Sequence, residues 1–123
     1  SYTKFEYSDL STDREVVLAD EQISIAIDVK NTGKRAGKEV VQLFIRDEYA
    51  SITPSVRRLR GFEKIDLESG ESKTVVFNIG AEDLAFVGID NEWVTEPGDF
   101  TIMIKDLEAK FELKGESATQ GNR

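Results

Sequence analysis

At 123 residues and a formal net charge of −8, the chain has room for one domain with its own core. Its acidity argues against a nucleic-acid or anionic-membrane partner, since both select basic surfaces. It holds neither cysteine nor histidine, which removes disulfides, Ser/His/Asp and Cys/His nucleophiles and the usual zinc ligand sets. Carboxylates, hydroxyls, Lys, Arg and Tyr are left for any chemistry. No stretch approaches the roughly 18 apolar residues of a membrane span, and nothing in the composition calls for a cofactor.

The chain opens Ser-Tyr-Thr, without an initiator methionine or a signal peptide, and reads as a piece cut from something longer. Phe5 and Tyr7 alternate with Lys4 and Glu6, which predicts a short edge strand. Leu10 to Asp13 then reads as a turn, Val16 to Leu18 as a short strand, and Ala19-Asp20-Glu21 as a second turn. Ile23 to Arg46 is the centre of the pattern. Ile23, Ile25, Ile27 and Val29 alternate with Ser24, Ala26 and Asp28, a half-buried strand, and a segment with Asn31, Gly33 and Gly37 links it to a second arm. The two arms are expected to pair antiparallel, with Asn31 tolerating a left-handed backbone and Gly33 or Gly37 at positive φ. In the second arm Val41, Leu43 and Ile45 line one face, while Val40 and Phe44 flank Gln42 on the other. That strand is expected to be covered on both sides, by this domain's own loops or by a neighbouring domain.

Asp47 to Pro54 is a polar connection. Arg57 to Leu67 mixes Arg57, Arg58, Arg60 and Lys64 with Leu59, Phe62, Ile65 and Leu67 at a spacing that fits neither a clean helix nor a clean strand. Glu68 to Glu71 is a turn by composition, and Thr74 to Ile79 is a strand with Val75, Phe77 and Ile79 on one face. Ala81 to Phe86 could make one helical turn with acidic residues at its start. Trp93-Val94 is a short strand between Asp90-Asn91 and Pro97-Gly98. Phe100, Ile102 and Ile104 mark another strand, Phe111 and Leu113 a last one. About seven to nine short strands with regular turns predict an all-β fold, a two-layer antiparallel sandwich. The sandwich is expected over residues 1–114 and a disordered polar tail over 115–123.

The succession VKNTGKRAGKEVVQLFIRD, LRGFEKIDLESGESKTVVFNI and EDLAFVGIDNEWVTEPGDFTIMI, with SYTKFEY before it, resembles the fibronectin type III-like domain that ends family 3 glycoside hydrolases. The resemblance implies an immunoglobulin/fibronectin type III-like sandwich that follows an α/β barrel and an α/β sandwich and folds back against both. It departs from the family at Thr53-Pro54-Ser55, where Arg-Pro is usual, at Val87-Gly88, often Tyr-Asp, and at Lys105-Asp106, commonly a Gly- and Ser-rich step. The family's nucleophile is an Asp on the barrel and its acid/base is usually a Glu on the α/β sandwich. Both lie upstream of Ser1, so no catalytic residue transfers to this chain.

Asp90, Glu92, Glu96 and Asp99 crowd one turn region and read as a solvated acidic rim, with a calcium site or a carboxylate pair as sharper alternatives. Trp93 reads as core or inter-domain packing, with sugar stacking as the alternative. The basic run could be neutralised by the domain's own acids or could dock onto another domain. Val40, Phe44, Arg57, Arg58, Arg60 and Lys64 are therefore the candidate docking residues. The leading expectation is a non-catalytic accessory domain of a β-glucosidase or β-xylosidase. Its partners would be the catalytic domains of the same chain, carbohydrate would be met only through the parent enzyme, and one loop could reach the rim of the substrate cleft. The residues leave the compartment open, and the resemblance alone favours a periplasmic or secreted parent over a cytoplasmic one. An autonomous carbohydrate-binding module and a structural spacer or adhesion-type domain are the alternatives; the module would need a row of exposed aromatics.

Overall fold

The computed structural model describes residues 4–48, 57–87 and 93–115, with backbone alone at 86, 87, 93 and 94. Strands β1 (Phe5–Thr12), β3 (Gln22–Asn31) and β6 (Ser72–Gly80) form one antiparallel sheet in the order β1-β3-β6. Strands β2 (Val16–Val17), β4 (Gly37–Asp47), β5 (Arg57–Leu67), β9 (Gly98–Ile104) and β10 (Leu107–Leu113) form the other, ordered β2-β10-β9-β4-β5. A single 3-10 turn (Ala81–Leu84) leads from β6 into a small ribbon of β7 (Phe86–Val87) and β8 (Trp93–Val94). Among the described residues all ladders are antiparallel except β2 on β10, which is parallel.

The alternation of β3 explains the core. Ile23, Ile25, Ile27 and Val29 are each 0% exposed and face Val41, Leu43, Ile45, Ile102 and Ile104 of the other sheet across the sandwich. Burying an aliphatic side chain of this size contributes about 1.5–3 kcal/mol. Phe100 and Phe111, paired across β9 and β10, stack with ring centroids 5.3 Å apart. The predicted sandwich is therefore the observed one.

The expected pairing of the two central arms is not. β3 pairs with β1 and β6, β4 pairs with β5 and β9, and residues 32–36 arch from one sheet to the other. Alternation shows that a strand has an inner face, but two strands facing each other across a sandwich produce the same pattern as two lying side by side. The arch is held by Asn31, a fully buried strand residue, and neither Gly33 nor Gly37 has a positive φ. The glycine that needs the left-handed region on this end of the sandwich is Gly70, at φ +81°, in the β5–β6 turn. Gly70→Val is accordingly expected to cost about 1–2 kcal/mol, and Gly33→Val and Gly37→Val distinctly less. Urea melts that put Gly33→Val level with Gly70→Val would contradict this assignment.

Two further expectations change. Leu10 to Asp13 is not a turn as a whole: β1 continues to Thr12 through a bulge, with Asp9 at φ +56° and the register to β3 slipping between Ser8 and Ser11. Arg57 to Leu67 is a strand whose register to β4 slips between Leu43 and Phe44. Gly61 faces Leu43 and Leu59 faces Phe44, so Arg60 is the extra residue. A bulge reverses the in-out alternation along its strand, which is why the apolar residues of this segment follow no single period. In the proposed tail, Gly115 lies against the Pro97 ring, and residues 116–123 are outside the described residues.

Candidate docking face

The outer face of the five-stranded sheet is assembled from β4, β5 and β9. On β4 the residues between the buried Val41, Leu43 and Ile45 point outward: Val40 is 42% exposed, Gln42 is exposed and Phe44 is half-buried. The register sets Lys64 beside Val40 and Phe62 beside Gln42. Past the bulge it sets Leu59 beside Phe44 and Arg57 beside Arg46, and Met103 of β9 flanks Phe44 on its other side. Among the described residues five large apolar side chains are exposed: Val16, Val40, Leu59, Phe62 and Val76. Three of these five share this face, and Phe62 is the most exposed, at 60%.

Cations border the apolar centre. The Arg57 guanidinium lies 4.4 Å from the centre of the Phe44 ring, a cation–π contact worth about 0.5–1 kcal/mol at an exposed site. Lys105 enters from the two-residue β9–β10 turn, at φ +56°. Its Nζ is 3.8 Å from Glu39 Oε2 and 5.4 Å from the centre of the Tyr7 ring. Val40, Gln42, Phe44, Arg57 and Lys105 together line a groove of about 200 Å³.

Tyr7 on β1 donates to Glu39 Oε2 on β4 at 2.8 Å, a bond between the two sheets. Burial, then that hydrogen bond, then the charge of Glu39 push the phenol well above its ordinary pKa. A phenol held protonated in the folded state stabilises the domain below its unfolded pKa of about 10. That contribution is lost as the pH rises from there towards the folded value. Stability is therefore expected to decline above about pH 10, and Tyr7→Phe to flatten that decline in alkaline urea melts. An unchanged alkaline limb in Tyr7→Phe would rule the bond out as its cause.

The six candidate docking residues divide. Val40, Phe44, Arg57 and Lys64 share the outer face. Arg58 stands opposite Ile45 and so on the other side of the sheet. Arg60, half-buried at the bulge, donates from Nη2 to the Ala85 carbonyl at 3.2 Å and ties β5 to the residue after the 3-10 turn. Burial, then the charge of Arg58, push its guanidinium below the ordinary value, against the pull of Asp83. Leu59, Phe62, Met103 and Lys105 were not legible as members of the face, because a bulge and a hairpin turn bring them there. The opposite sheet presents a different surface. Ser24 donates to Asn78 Oδ1 and Thr74 to Asp28 Oδ1, both at 2.6 Å, and Val76 is the exposed large aliphatic among them.

Of the acidic turn residues, Asp90 and Glu92 lie outside the described residues. Asp99 joins Glu15, Glu48, Lys110, Phe111 and Glu112 around a cavity of about 440 Å³. There the Thr101 hydroxyl donates to Glu48 Oε2, and Arg46 Nε reaches the same oxygen at 3.0 Å. The Thr101 bond foremost, with Arg46, holds the Glu48 carboxyl below the usual range. A glycosidase acid needs the opposite shift. Among the described residues no group of three or more His, Cys, Asp or Glu could hold a metal ion. The Trp93 backbone pairs with Val87 as a short strand; its side chain and the connection 49–56 are outside the described residues.

Residues 39–107 match the fibronectin type III-like domain. Over 105 residues the chain is 44% identical to thermostable beta-glucosidase B of Acetivibrio thermocellus, covering 85% of this chain and 14% of that protein. Over 119 residues it is 40% identical to a beta-xylosidase of Formosa agariphila, covering 97% of this chain and 16% of that one. A β-glucosidase from Listeria innocua solved with glucose superposes with a TM-score of 0.84 at 32% identity, over 94% of this chain and 16% of that enzyme. The chain thus spans only a small part of the length of the relatives it matches. It belongs to the fibronectin type III-like domain family, in the form carried by family 3 β-glucosidases and β-xylosidases.

Proposed function

We propose that the chain is a non-catalytic accessory domain of a β-glucosidase or β-xylosidase, and that it braces the catalytic domains by docking through the outer face of β4 and β5. The observation that carries this reading is the apolar face of Val40, Phe44, Leu59 and Phe62 on an otherwise polar, acidic domain. A lone domain seldom leaves such a patch to water. Interfaces between domains of one chain bury about 600–1,500 Å², and at about 25 cal/mol per Å² a few hundred apolar Å² contribute several kcal/mol. Tethering within one chain avoids most of the association entropy that separate partners lose. The carbohydrate-module reading is disfavoured by the same face, because the Phe44 ring is already occupied by Arg57.

The excised domain is expected to leave aryl β-glucosides and β-xylosides intact while the full-length enzyme cleaves them. Phe62→Asp is expected to lower the melting temperature or activity of the full-length enzyme, and to change the isolated domain by less than about 0.5 kcal/mol. Turnover by the purified domain that disappears on mutating one of its acids would overturn the non-catalytic assignment. Unfolding of the isolated domain by Phe62→Asp would overturn the docking one.

A further inference from the structure

We infer that the groove between Arg57 and Lys105 receives an acidic side chain from another part of the same enzyme chain, whose neighbouring apolar side chains cover Val40, Phe44 and Phe62. This rests on the accessory-domain reading and adds the chemistry of the surface that this face meets. The groove, at about 200 Å³, is below the roughly 300–1,000 Å³ of small-molecule sites and is of a size for one inserted side chain. Its wall carries two cations and the Gln42 amide over an apolar floor of Phe44 and Val40, a lining that suits a carboxylate on a short aliphatic stem.

The charge of the β4–β5 half of the face has the same sense, while on the β10 side Glu108 stands beside Met103. On β4 and β5 the register places Lys38, Arg46, Arg57, Lys64 and Asp66 outward, four cations and one anion in a chain whose net charge is −8. Lys38 faces Asp66 across the ladder and Arg46 is engaged by Glu48. Glu39 Oε2 accepts from Tyr7 and also pairs with Lys105 at 3.8 Å, at the end of the groove. The surplus positive charge of β4 and β5 is therefore that of Arg57 on the groove and Lys64 at its edge, with Lys105 shared between Glu39 and the groove. A sugar ring finds no open aromatic face on the groove floor, and a polyanion such as nucleic acid is repelled by the rest of the domain. The occupant is supplied in cis, because the relatives that carry such a domain are several times longer than this chain.

Zero-length carbodiimide coupling of the full-length enzyme, followed by peptide mapping, tests this directly. Lys105 is expected to form an amide with an Asp or Glu outside residues 1–123, and that product is expected to be lost in Arg57→Glu and at high salt. The Lys105–Glu39 product within the domain shows that Lys105 reacts. If Lys105 couples only within the domain while the enzyme cleaves aryl β-glycosides, the groove inference fails and the accessory reading stands. If the full-length chain has no glycosidase activity, it is the accessory reading that fails.

Discussion

Asn31→Asp is expected to cost the domain about 3–5 kcal/mol at neutral pH, a large share of the about 5–15 kcal/mol that holds a domain of this size folded. Asn31 is 0% exposed and engages five partners. Its N–H donates to the Glu71 carbonyl at 2.9 Å and its own carbonyl accepts from Gly70 at 2.8 Å. In the side chain, Oδ1 accepts from the Gly33 amide at 2.9 Å, while Nδ2 donates to the carbonyls of Arg35 at 2.9 Å and Leu67 at 3.0 Å. One amide thus ties the end of β3 in one sheet to the end of β5 in the other and to the arch between them. An aspartate would set an oxygen against two carbonyl oxygens and bury a charge. Its folded-state pKa would be raised above the unfolded value of about 3.9, so the penalty is smallest below that pH and grows as the pH rises through the folded value. Urea melts of both proteins at about pH 4 and about pH 7.5 read this out. A deficit of the same size at both would show that no charge is buried there, and one below about 1 kcal/mol at neutral pH would remove Asn31 from its structural role.

The contrast between Asn31 and Ile25 shows what a sequence discloses and what it withholds. Ile25 is one of four aliphatics in strict alternation, and that period alone puts it in a core. Asn31 follows the same run at the same parity, yet a polar residue ahead of two glycines reads as a turn. What buries it is the Leu67 carbonyl, 36 positions away, and pairing at that range leaves no local signal. The docking face divides in the same way. Val40 and Phe44 were legible because apolar residues on both faces of β4 have no explanation within one sheet. Leu59 and Phe62 were not, because an extra residue at Arg60 lets positions three apart share a face. Lys105 carries no signal at all: a non-glycine residue at positive φ in a two-residue turn is one that turn chemistry disfavours, and its place beside Arg57 follows only from the register of β9 on β4.

Gly61 is the second position where a large effect is expected, for steric and not conformational reasons. Its φ is not positive, but a Cβ built on it would lie 3.2 Å from Cδ1 and 3.4 Å from Cε1 of Phe77, and 3.7 Å from Leu43 Cδ2. Phe77 belongs to β6 in the opposite sheet and is 8% exposed. Here the two layers close until a ring fills the space of an absent side chain. Overpacking a core costs about 1–3 kcal/mol, and Gly61→Val, which adds a branched group under a ring with little room to retreat, is expected at the upper end. Gly61→Ala asks the ring to give by only a few tenths of an ångström and is expected to cost less. The cause is separable by a double-mutant cycle with Phe77→Leu. Steric conflict predicts that the double variant Gly61→Val, Phe77→Leu is more stable than the two single effects sum to, by about 0.5–3 kcal/mol. Additivity within about 0.5 kcal/mol would show that the ring is not what excludes the side chain. Gly61 also lies between Leu59 and Phe62, beside the bulge that turns both outward, so Gly61→Val displaces β5 and with it the docking face. In the full-length enzyme proposed above the variant is therefore expected to lose more stability than in the isolated domain, and equal losses in the two would count against the docking proposed for the outer face of β5.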